Sequence, residues 1–385
     1  MLLHLLGYPS NFIGMGNHAL KLHQKLDALA KATGFTYLAT NLQDQASITN
    51  YINHLEDQRN SQSPINILIG SGKNSSQYLN QLPGKKVSYV VFESDTLPLG
   101  WPENLAQSDL VITASQWGAD ILQAELPQSQ VAVVPEGVDP LLYHHWNFDA
   151  TALAWNPAST EASPQEECFR FLSVGKFESR KSFTELLNAF QLAFPTQGDV
   201  RLLLRVHNVF EPDYIQQLKE IIPKQIKTRV RIIVNSNDPN EWLSPQDLAQ
   251  LYRTSHCFVF PSKGEGWGLP LIEAIACGTP YLATHYSGQT EFLKYCHQSY
   301  SEIDFKLGAI DDARYFRYQQ FSESQEPHWA MPDVKSIARQ MKNIYTNWHE
   351  VKQQALINSS TMHNLFSWRA SAACLVDTLA KNFPD

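Results

Sequence analysis

The chain has 385 residues, of which 43% are hydrophobic and 18% are charged, and its net charge is -8. This length allows two or three domains that each bury a core, and the composition excludes a disordered or collagen-like protein. The acidic balance argues against a dedicated nucleic-acid binder, which normally carries a basic excess to neutralise phosphates.

The negative charge is uneven along the chain. Residues 1–150 carry 7 Lys and Arg against 13 Asp and Glu, whereas the remainder carries 23 against 25. An anionic ligand must therefore be bound by local basic groups or helix N-termini, and we expect these in the second half.

Cysteine usage and the first residues bear on where the protein resides. The five cysteines are scattered and form no CxxC pair, which indicates reduced thiols in a cytoplasmic protein. The opening run MLLHLLG has no basic region and is too short for a signal peptide, so we predict a first strand. No stretch reaches the roughly 18–20 apolar residues of a membrane span. We therefore expect any membrane contact to be peripheral, at the inner face.

Short apolar runs recur through the first half of the chain. Continuous apolarity is typical of strands buried on both faces, so these runs predict a parallel sheet with crossover helices. Between the first two apolar runs, residues 17–31 have the apolar stripe of an amphipathic helix. The predicted strands are 2–6, 35–39, 65–69, 87–92, 110–114 and 131–134.

The pattern breaks and then restarts, which predicts a second domain. Residues 146–168 mix aromatic, Pro, Ser, Thr and acidic residues without a period, as a linker does. Domains are thus expected at 1–145 and 169–364, with a final helix near 365–385 packing back on the first. Predicted second-domain strands are 169–174, 200–206, 230–234, 257–260 and 281–283, with helices at 183–194, 244–252, 271–276 and 334–347.

A Gly-rich loop follows the predicted strand 257–260 and runs into a helix with Pro270 in its first turn. Gly266 and Gly268 would let a ligand approach the backbone closely. The amides of Leu269 and Leu271, at the helix start, are suited to a diphosphate.

Two carboxylates flank this loop. Glu265 lies within it and Glu273 lies on the helix, eight positions later, so both can face one cleft. Carboxylates would accept hydrogen bonds from hydroxyls and would not bind phosphate. Together with phosphate-binding amides, they indicate a sugar nucleotide.

These residues resemble the E-x7-E signature of retaining glycosyltransferases of family 4, which have the two-domain GT-B fold. The resemblance covers most of the chain, because further blocks follow in the family's order. They are Gly14-Met-Gly16, 109–117, 133–139, 173–181 and 287–291.

The resemblance implies a role for each matching residue. Glu265 would contact donor-sugar hydroxyls, with the amides of Trp267 and Gly268, and Glu273 would hold the ribose. Basic side chains would neutralise the diphosphate, and the amide of Gly16 would approach it from the first domain. These basic residues are Arg180, Lys181 and Lys176.

One departure concerns the first domain. Many family members have a histidine after its fourth strand, whereas here the strand leads into Glu93, Ser94 and Asp95. We expect one of these three to contact the donor or the acceptor instead. No metal site is expected, since the Asp-x-Asp motif is absent and His144-His145 lack a third ligand at metal spacing.

The resemblance implies transfer of a hexosyl group from a nucleotide diphosphate sugar to a hydroxyl acceptor, with retention and without metal or cofactor. Two alternatives stay open: a sugar-nucleotide-binding protein whose catalysis has lapsed, and a dinucleotide-dependent oxidoreductase suggested by Gly14-Met-Gly16. Against the oxidoreductase, the fingerprint is incomplete and no acidic residue ends strand 35–39.

The acceptor would be selected by the first domain. Its helix 17–31 carries basic and histidine side chains, which form either a solvated face or a patch for anionic lipid surfaces. These side chains are His18, Lys21, His23, Lys25 and Lys31. The sequence does not identify the sugar or the base of the donor, the acceptor, or the oligomeric state.

Overall fold

The computed structural model describes residues 1–7, 14–42, 63–146, 168–208, 211–234 and 243–384. Within these ranges, two six-stranded parallel sheets each form the centre of an α/β domain. The prediction of two domains with parallel sheets and crossover helices is confirmed, and each domain is doubly wound and Rossmann-like. The predicted linker 146–168 lies almost wholly outside the described residues.

The first sheet has the strand order β2-β1-β3-β4-β5-β6. All five residues of β3 are buried, as a strand covered on both faces by helices requires. The strands are β1 (Leu2–Gly7), β2 (Thr36–Asn41), β3 (Ile65–Ile69), β4 (Lys85–Tyr89), β5 (Leu110–Thr113) and β6 (Val131–Val133). The helices are α1 (Gly14–Thr33), α2 (Ser75–Leu79), α3 (Trp101–Leu105) and α4 (Gln116–Glu125).

The second sheet has the order β12-β11-β10-β7-β8-β9. Its strands are β7 (Phe169–Lys176), β8 (Val200–His207), β9 (Val230–Ile233), β10 (Cys257–Phe260), β11 (Tyr281–Thr284) and β12 (Glu302–Ile303). The helices are α5 (Phe183–Ala193), α6 (Tyr214–Ile221), α7 (Pro245–Thr254), α8 (Leu269–Ala276) and α9 (Thr290–Leu293). A capping box between Ser244 and Asp247 starts α7, one residue after the predicted start.

An antiparallel hairpin that the sequence analysis did not predict follows the second sheet. Its strands are β13 (Phe305–Ala309) and β14 (His328–Pro332), and the connection contains α10 (Ala313–Tyr318). β14 extends from the second domain to the first, where the indole nitrogen of Trp329 donates to the Glu93 carbonyl at 2.9 Å. The hairpin therefore bridges the cleft.

The chain ends in three helices: α11 (Val334–Thr346), α12 (Trp348–Leu365) and α13 (Trp368–Asn382). The junction between the last two returns to the first domain, where Val138 donates to the Phe366 carbonyl at 2.7 Å. Leu375 and Leu379 of α13 share a core with Leu22 and Leu26 of α1. The first domain is thus built from both ends of the described chain.

Every helix in the described ranges is too short or too polar to cross a membrane.

Candidate functional site

The Gly-rich loop lies directly against the first domain. A Cβ added to Gly264 would be 2.4 Å from the carbonyl oxygen of Glu93, and one added to Gly266 would be 2.8 Å from Cβ of Val91. The loop was expected to leave room for a ligand at Gly266. Instead, these two glycines let the domains approach each other at the carboxyl end of β10, where α/β sheets bind ligands.

Glu265 is the centre of a buried charge cluster in this loop. Its carboxylate is 3.1 Å from Nη1 of Arg180 and 2.5 Å from Nζ of Lys181, and the hydroxyl of Ser262 also donates to it. The amide of Glu265 donates to the hydroxyl of Ser287 at 2.8 Å. The second domain therefore positions this carboxylate through side chains and backbone alike.

Arg180 contacts further carboxylates. Its Nη2 lies 3.0 Å from Glu178 and 3.5 Å from Glu93, while Nη1 donates to the Gly264 carbonyl at 2.6 Å. Lys176 pairs with Glu178 at 3.3 Å. The three cations expected at a diphosphate thus lie in one cluster, matched by three carboxylates from both domains.

The charges in the cluster shift each other's pKa. Burial alone would raise the pKa of Glu265, but the charges of Lys181 and Arg180 outweigh it and lower that pKa. Burial lowers the pKa of Lys181, and Glu265 offsets only part of this effect. Burial would also lower the pKa of Arg180, yet its carboxylate neighbours raise it. Glu265 is therefore ionised and held between two cations.

Glu273 lies apart from this cluster, on α8. The hydroxyl of Tyr252 donates to its Oε2 at 3.1 Å, and Tyr143 is a second hydrogen-bonding neighbour. Burial raises the pKa of Glu273 to about 7, although the two tyrosines oppose the shift. Glu273 can therefore be neutral or ionised near neutral pH, and both forms can bond to hydroxyls.

The start of α8 differs in detail from the sequence expectation. Gly268 has a φ of +102°, which favours glycine at this turn into the helix. The amide of Leu271 donates to the Gly268 carbonyl at 2.9 Å, so it is not available for a diphosphate. Leu269 is the first residue of the helix, and the Trp267 ring packs on Phe292.

In the first domain, Gly16 is the third residue of α1, so its amide belongs to the first turn. The expected basic face of this helix is only partly present. His18 is fully buried, with its ring edge against Tyr89 at 4.4 Å between centroids, because the helix faces the core there. Lys21 lies 3.9 Å from Asp139, and Lys31 pairs with Asp27 at 2.6 Å.

The loop after β4 places only one of its three candidate side chains in the charge cluster. Glu93 reaches Arg180, whereas the Ser94 hydroxyl is buried and donates to the Thr96 carbonyl at 2.8 Å. Asp95 accepts a 2.6 Å hydrogen bond from the amide of His328, whose ring nitrogen lies 3.2 Å away. A histidine from the second domain thus contacts this loop.

Several residues of the site were not predicted. Glu178 lies within the block 173–181, but its sequence position alone indicated no role. The structure shows that its carboxylate pairs with Lys176 and Arg180. The hairpin residues His328 and Trp329 lie more than 230 positions from their partners, and no sequence pattern links them. Tyr143, after β6, and Tyr252, in α7, approach Glu273 from distant parts of the sequence.

Within the described residues, no group of three or more His, Cys, Asp or Glu side chains has the geometry to hold a metal ion.

The chain is similar to known proteins in part of its sequence and in its overall fold. Residues 159–298 match the family model of glycosyl transferases group 1. This segment contains the Gly-rich loop, both glutamates and the basic residues that follow β7. The similarity to this family concerns that segment, which is about a third of the chain.

The chain is similar to the serotype-specific mannosyltransferase WbdA of Escherichia coli, with 25% identity over 209 residues. These residues are 54% of this chain and 21% of WbdA, so the chain matches only about a fifth of that relative's length.

Solved structures share the overall fold. A glycosyltransferase from Rickettsia africae has a TM-score of 0.70 at 13% identity, covering 100% of this chain and 99% of its own. Anabaena HepE, solved with UDP and glucose, has a TM-score of 0.66 at 14% identity and covers 99% and 100%. At such identities the likeness concerns the fold, which is GT-B.

Proposed function

We propose that this protein is a retaining glycosyltransferase that transfers a hexosyl group from a nucleotide diphosphate sugar to a hydroxyl acceptor. The observation that carries the proposal is the ionised Glu265 between Arg180 and Lys181, on a loop that faces the other domain. The group 1 match and the mannosyltransferase relative support the reaction class. The UDP and glucose bound to HepE support the type of donor.

The donor would lie between the loop of the second domain and the start of α1. Arg180, Lys181 and Lys176 would neutralise its diphosphate, and the amides of Gly16 and Leu269 would donate to phosphate oxygens. The Glu265 carboxylate, together with the amides of Trp267 and Gly268, would orient the sugar through its hydroxyls. Glu273 would accept hydrogen bonds from the ribose.

In the reaction, the bond between the anomeric carbon and the diphosphate oxygen breaks as negative charge grows on the leaving group. Buried cations stabilise that charge strongly because little water screens them. The acceptor oxygen then bonds to the oxocarbenium-like carbon on the same face. Its proton passes to the departing phosphate oxygen, so configuration is retained without a covalent intermediate on the protein.

Closure of the two domains would exclude water and so suppress hydrolysis of the donor. The contacts of Gly264 and Gly266 with the first domain support such a closed form. Contact between the helix 14–33 and anionic lipid stays a hypothesis for binding a membrane-associated acceptor, with Lys25 its remaining basic candidate. Cytoplasmic residence is likewise proposed from the sequence.

A thermal-shift screen against UDP-glucose, UDP-N-acetylglucosamine, GDP-mannose and ADP-glucose tests the donor class. Stabilisation by one of them would identify base and sugar together, since binding to the folded state raises stability with affinity. The stabilising donor, incubated with candidate hydroxyl acceptors, should give a glycoside whose anomeric configuration by NMR matches the donor's. An inverted product would contradict the retaining mechanism.

The alternative of a lapsed sugar-nucleotide-binding protein is motivated by the absence of a histidine in the loop 93–95. Such a protein would be stabilised by a nucleotide sugar and yet show neither transfer nor slow hydrolysis. Measuring release of the nucleoside diphosphate from the stabilising donor separates the two functions.

A further inference from the structure

The contacts of Arg180 leave little capacity for a new anion. A guanidinium has five N–H donors, and the four on Nη1 and Nη2 of Arg180 face three carboxylates and one carbonyl oxygen. The distances are 2.6 Å to the Gly264 carbonyl, 3.0 Å to Glu178, 3.1 Å to Glu265 and 3.5 Å to Glu93. These four contacts use the N–H groups of Nη1 and Nη2, so a diphosphate can bond to either of these two nitrogens only if one of the acceptors withdraws.

Glu93 is the acceptor held least firmly. Its contact with Arg180 is the longest of the four, and its side chain is 31% exposed, against 23% for Glu178 and 9% for Glu265. It also belongs to the first domain, whereas the other three acceptors belong to the second. Glu178 keeps Lys176 as a second cation, and Glu265 keeps Lys181.

Charge balance adds a second constraint. Lys176, Arg180 and Lys181 are matched by Glu93, Glu178 and Glu265, so the cluster is neutral before any donor arrives. A diphosphate ester adds about two negative charges at a site with little water, where like charges repel strongly. The complex gains stability if one carboxylate becomes neutral.

We propose that the donor diphosphate displaces Glu93 from Arg180 and that Glu93 takes up a proton from solvent as it is displaced. This inference rests on the proposed function, because it takes the diphosphate site to be the cluster around Arg180. The Arg180–Glu93 ion pair is exchanged for an Arg180–diphosphate pair and a neutral carboxyl group. That group can donate as well as accept, so it can bond to a hydroxyl of donor or acceptor.

The surroundings of Glu93 favour this protonation. Burial raises its pKa, and the nearby carboxylates Glu178 and Glu265 act in the same direction. Arg180 and Lys181 are the groups that oppose the shift, and a bound diphosphate would engage both. The neighbouring titratable groups also include Tyr315 of the hairpin, whose phenol is kept neutral by burial, which raises its pKa, and the Asp95–His328 pair.

Isothermal titration with UDP-glucose or GDP-mannose, whichever binds, in HEPES and in Tris tests the exchange. These buffers differ in ionisation enthalpy, so the difference in heat gives the protons taken up per donor bound. Nucleotide sugars suit the measurement because their diphosphate does not titrate near neutral pH. Near neutral pH the wild-type protein should take up protons as the donor binds, up to one per donor, and its affinity should fall as pH rises, by up to about tenfold per pH unit.

Three variants identify the group. Glu93→Gln should bind without proton uptake and with an affinity that changes little with pH. Glu178→Gln should retain the uptake, because Glu93 is still present. Glu220→Gln changes an exposed glutamate of α6 and should match the wild-type protein. Circular dichroism and thermal unfolding verify that each variant is folded.

Each outcome bears on one of the two proposals. Donor binding with no uptake, or with uptake that Glu93→Gln leaves unchanged, overturns the exchange and leaves the proposed function standing. Uptake lost in Glu178→Gln alone would assign the proton to Glu178 and also overturn the inference. Failure of every nucleotide sugar in the screen to bind overturns the proposed function, and the exchange with it.

Discussion

The carboxylate of Glu291, in the second domain, accepts a 2.8 Å hydrogen bond from the amide of Gln116, the first residue of α4 in the first domain. The same carboxylate also pairs with Lys294, three residues further on, at 2.6 Å. A carboxylate at a helix N-terminus is favoured by the helix dipole. This bond links the two domains in addition to the bonds that the hairpin makes.

The close approach of Gly264 to the first domain predicts that Gly264→Ala opens the cleft. The added Cβ would lie 2.4 Å from the Glu93 carbonyl oxygen, which belongs to the backbone and cannot rotate away. We expect turnover to fall on the order of a hundredfold, because the site groups of the two domains would no longer be correctly oriented relative to each other. Small-angle scattering should show a larger radius of gyration. Gly198→Ala is the control, since nothing lies within 4 Å of its added Cβ; equal effects of both changes would refute the argument.

Glu265→Ala removes the carboxylate between Arg180 and Lys181. We expect the rate of transfer to fall several hundredfold, about 4 kcal/mol, as for a lost transition-state contact. Steady-state kinetics with the stabilising donor measures this. Glu185→Ala is a matched control, because Glu185 pairs with a lysine of the same loop, Lys263, at 2.9 Å but does not contact the cluster. Near-wild-type transfer by Glu265→Ala would show that this carboxylate has no part in the reaction.

The raised pKa of Glu273 predicts how stability depends on pH. The folded state holds the proton up to about pH 7, whereas the unfolded chain releases it at the ordinary value. The resulting stabilisation is complete below the unfolded pKa and is lost as pH rises to about 7, by up to about 3 kcal/mol.

Glu273→Gln keeps a neutral, hydrogen-bonding side chain at every pH. Urea unfolding at about pH 5 and about pH 8 should therefore show a smaller loss of stability in this variant than in the wild-type protein. Glu103→Gln, on the exposed side of α3, should follow the wild-type protein. Parallel curves for the wild-type protein and Glu273→Gln would mean that the carboxyl group has the same pKa in both states.

Asp95 connects the loop after β4 to the hairpin. Asp95→Asn replaces the charged acceptor of the His328 amide and weakens the contact with its ring, so we expect a loss of about 1 kcal/mol in unfolding free energy. Chemical denaturation measures this loss. Asp213→Asn changes an exposed aspartate without a capping hydrogen bond and should stay within about 0.5 kcal/mol of the wild-type protein. Equal stability of the two variants would indicate that the Asp95 contact contributes nothing.

The strands were predictable because buried parallel strands are continuous apolar runs. Ile65–Ile69 and Cys257–Phe260 have the predicted bounds in the structure. The strand predicted at 87–92 lies at Lys85–Tyr89 in the structure. Its ends are determined by hydrogen bonding to β3 and β5, and the apolar run in the sequence does not mark them. The hairpin was missed because its outer strand is largely exposed and has no continuous apolar run.

The site was predictable only where one segment contains its residues. The loop with Glu265 and the residues 176–181 each have a local pattern, and the structure brings them together. The pairing of Glu93 with Arg180 depends on how two domains meet, which no local pattern encodes. Similarly, His18 is buried because α1 packs on the core at this position. Its polar side chain alone had indicated an exposed residue.

The return of α13 to the first domain has a consequence for the order of events during synthesis. The core of that domain includes Leu375 and Leu379, so it stays incomplete until these last residues have left the ribosome. The strands of the second sheet, by contrast, lie within one continuous stretch from Phe169 to Ile303. Domains near the N-terminus commonly fold first. In this chain the second domain can complete its sheet before α13, which completes the core of the first domain, has been synthesised.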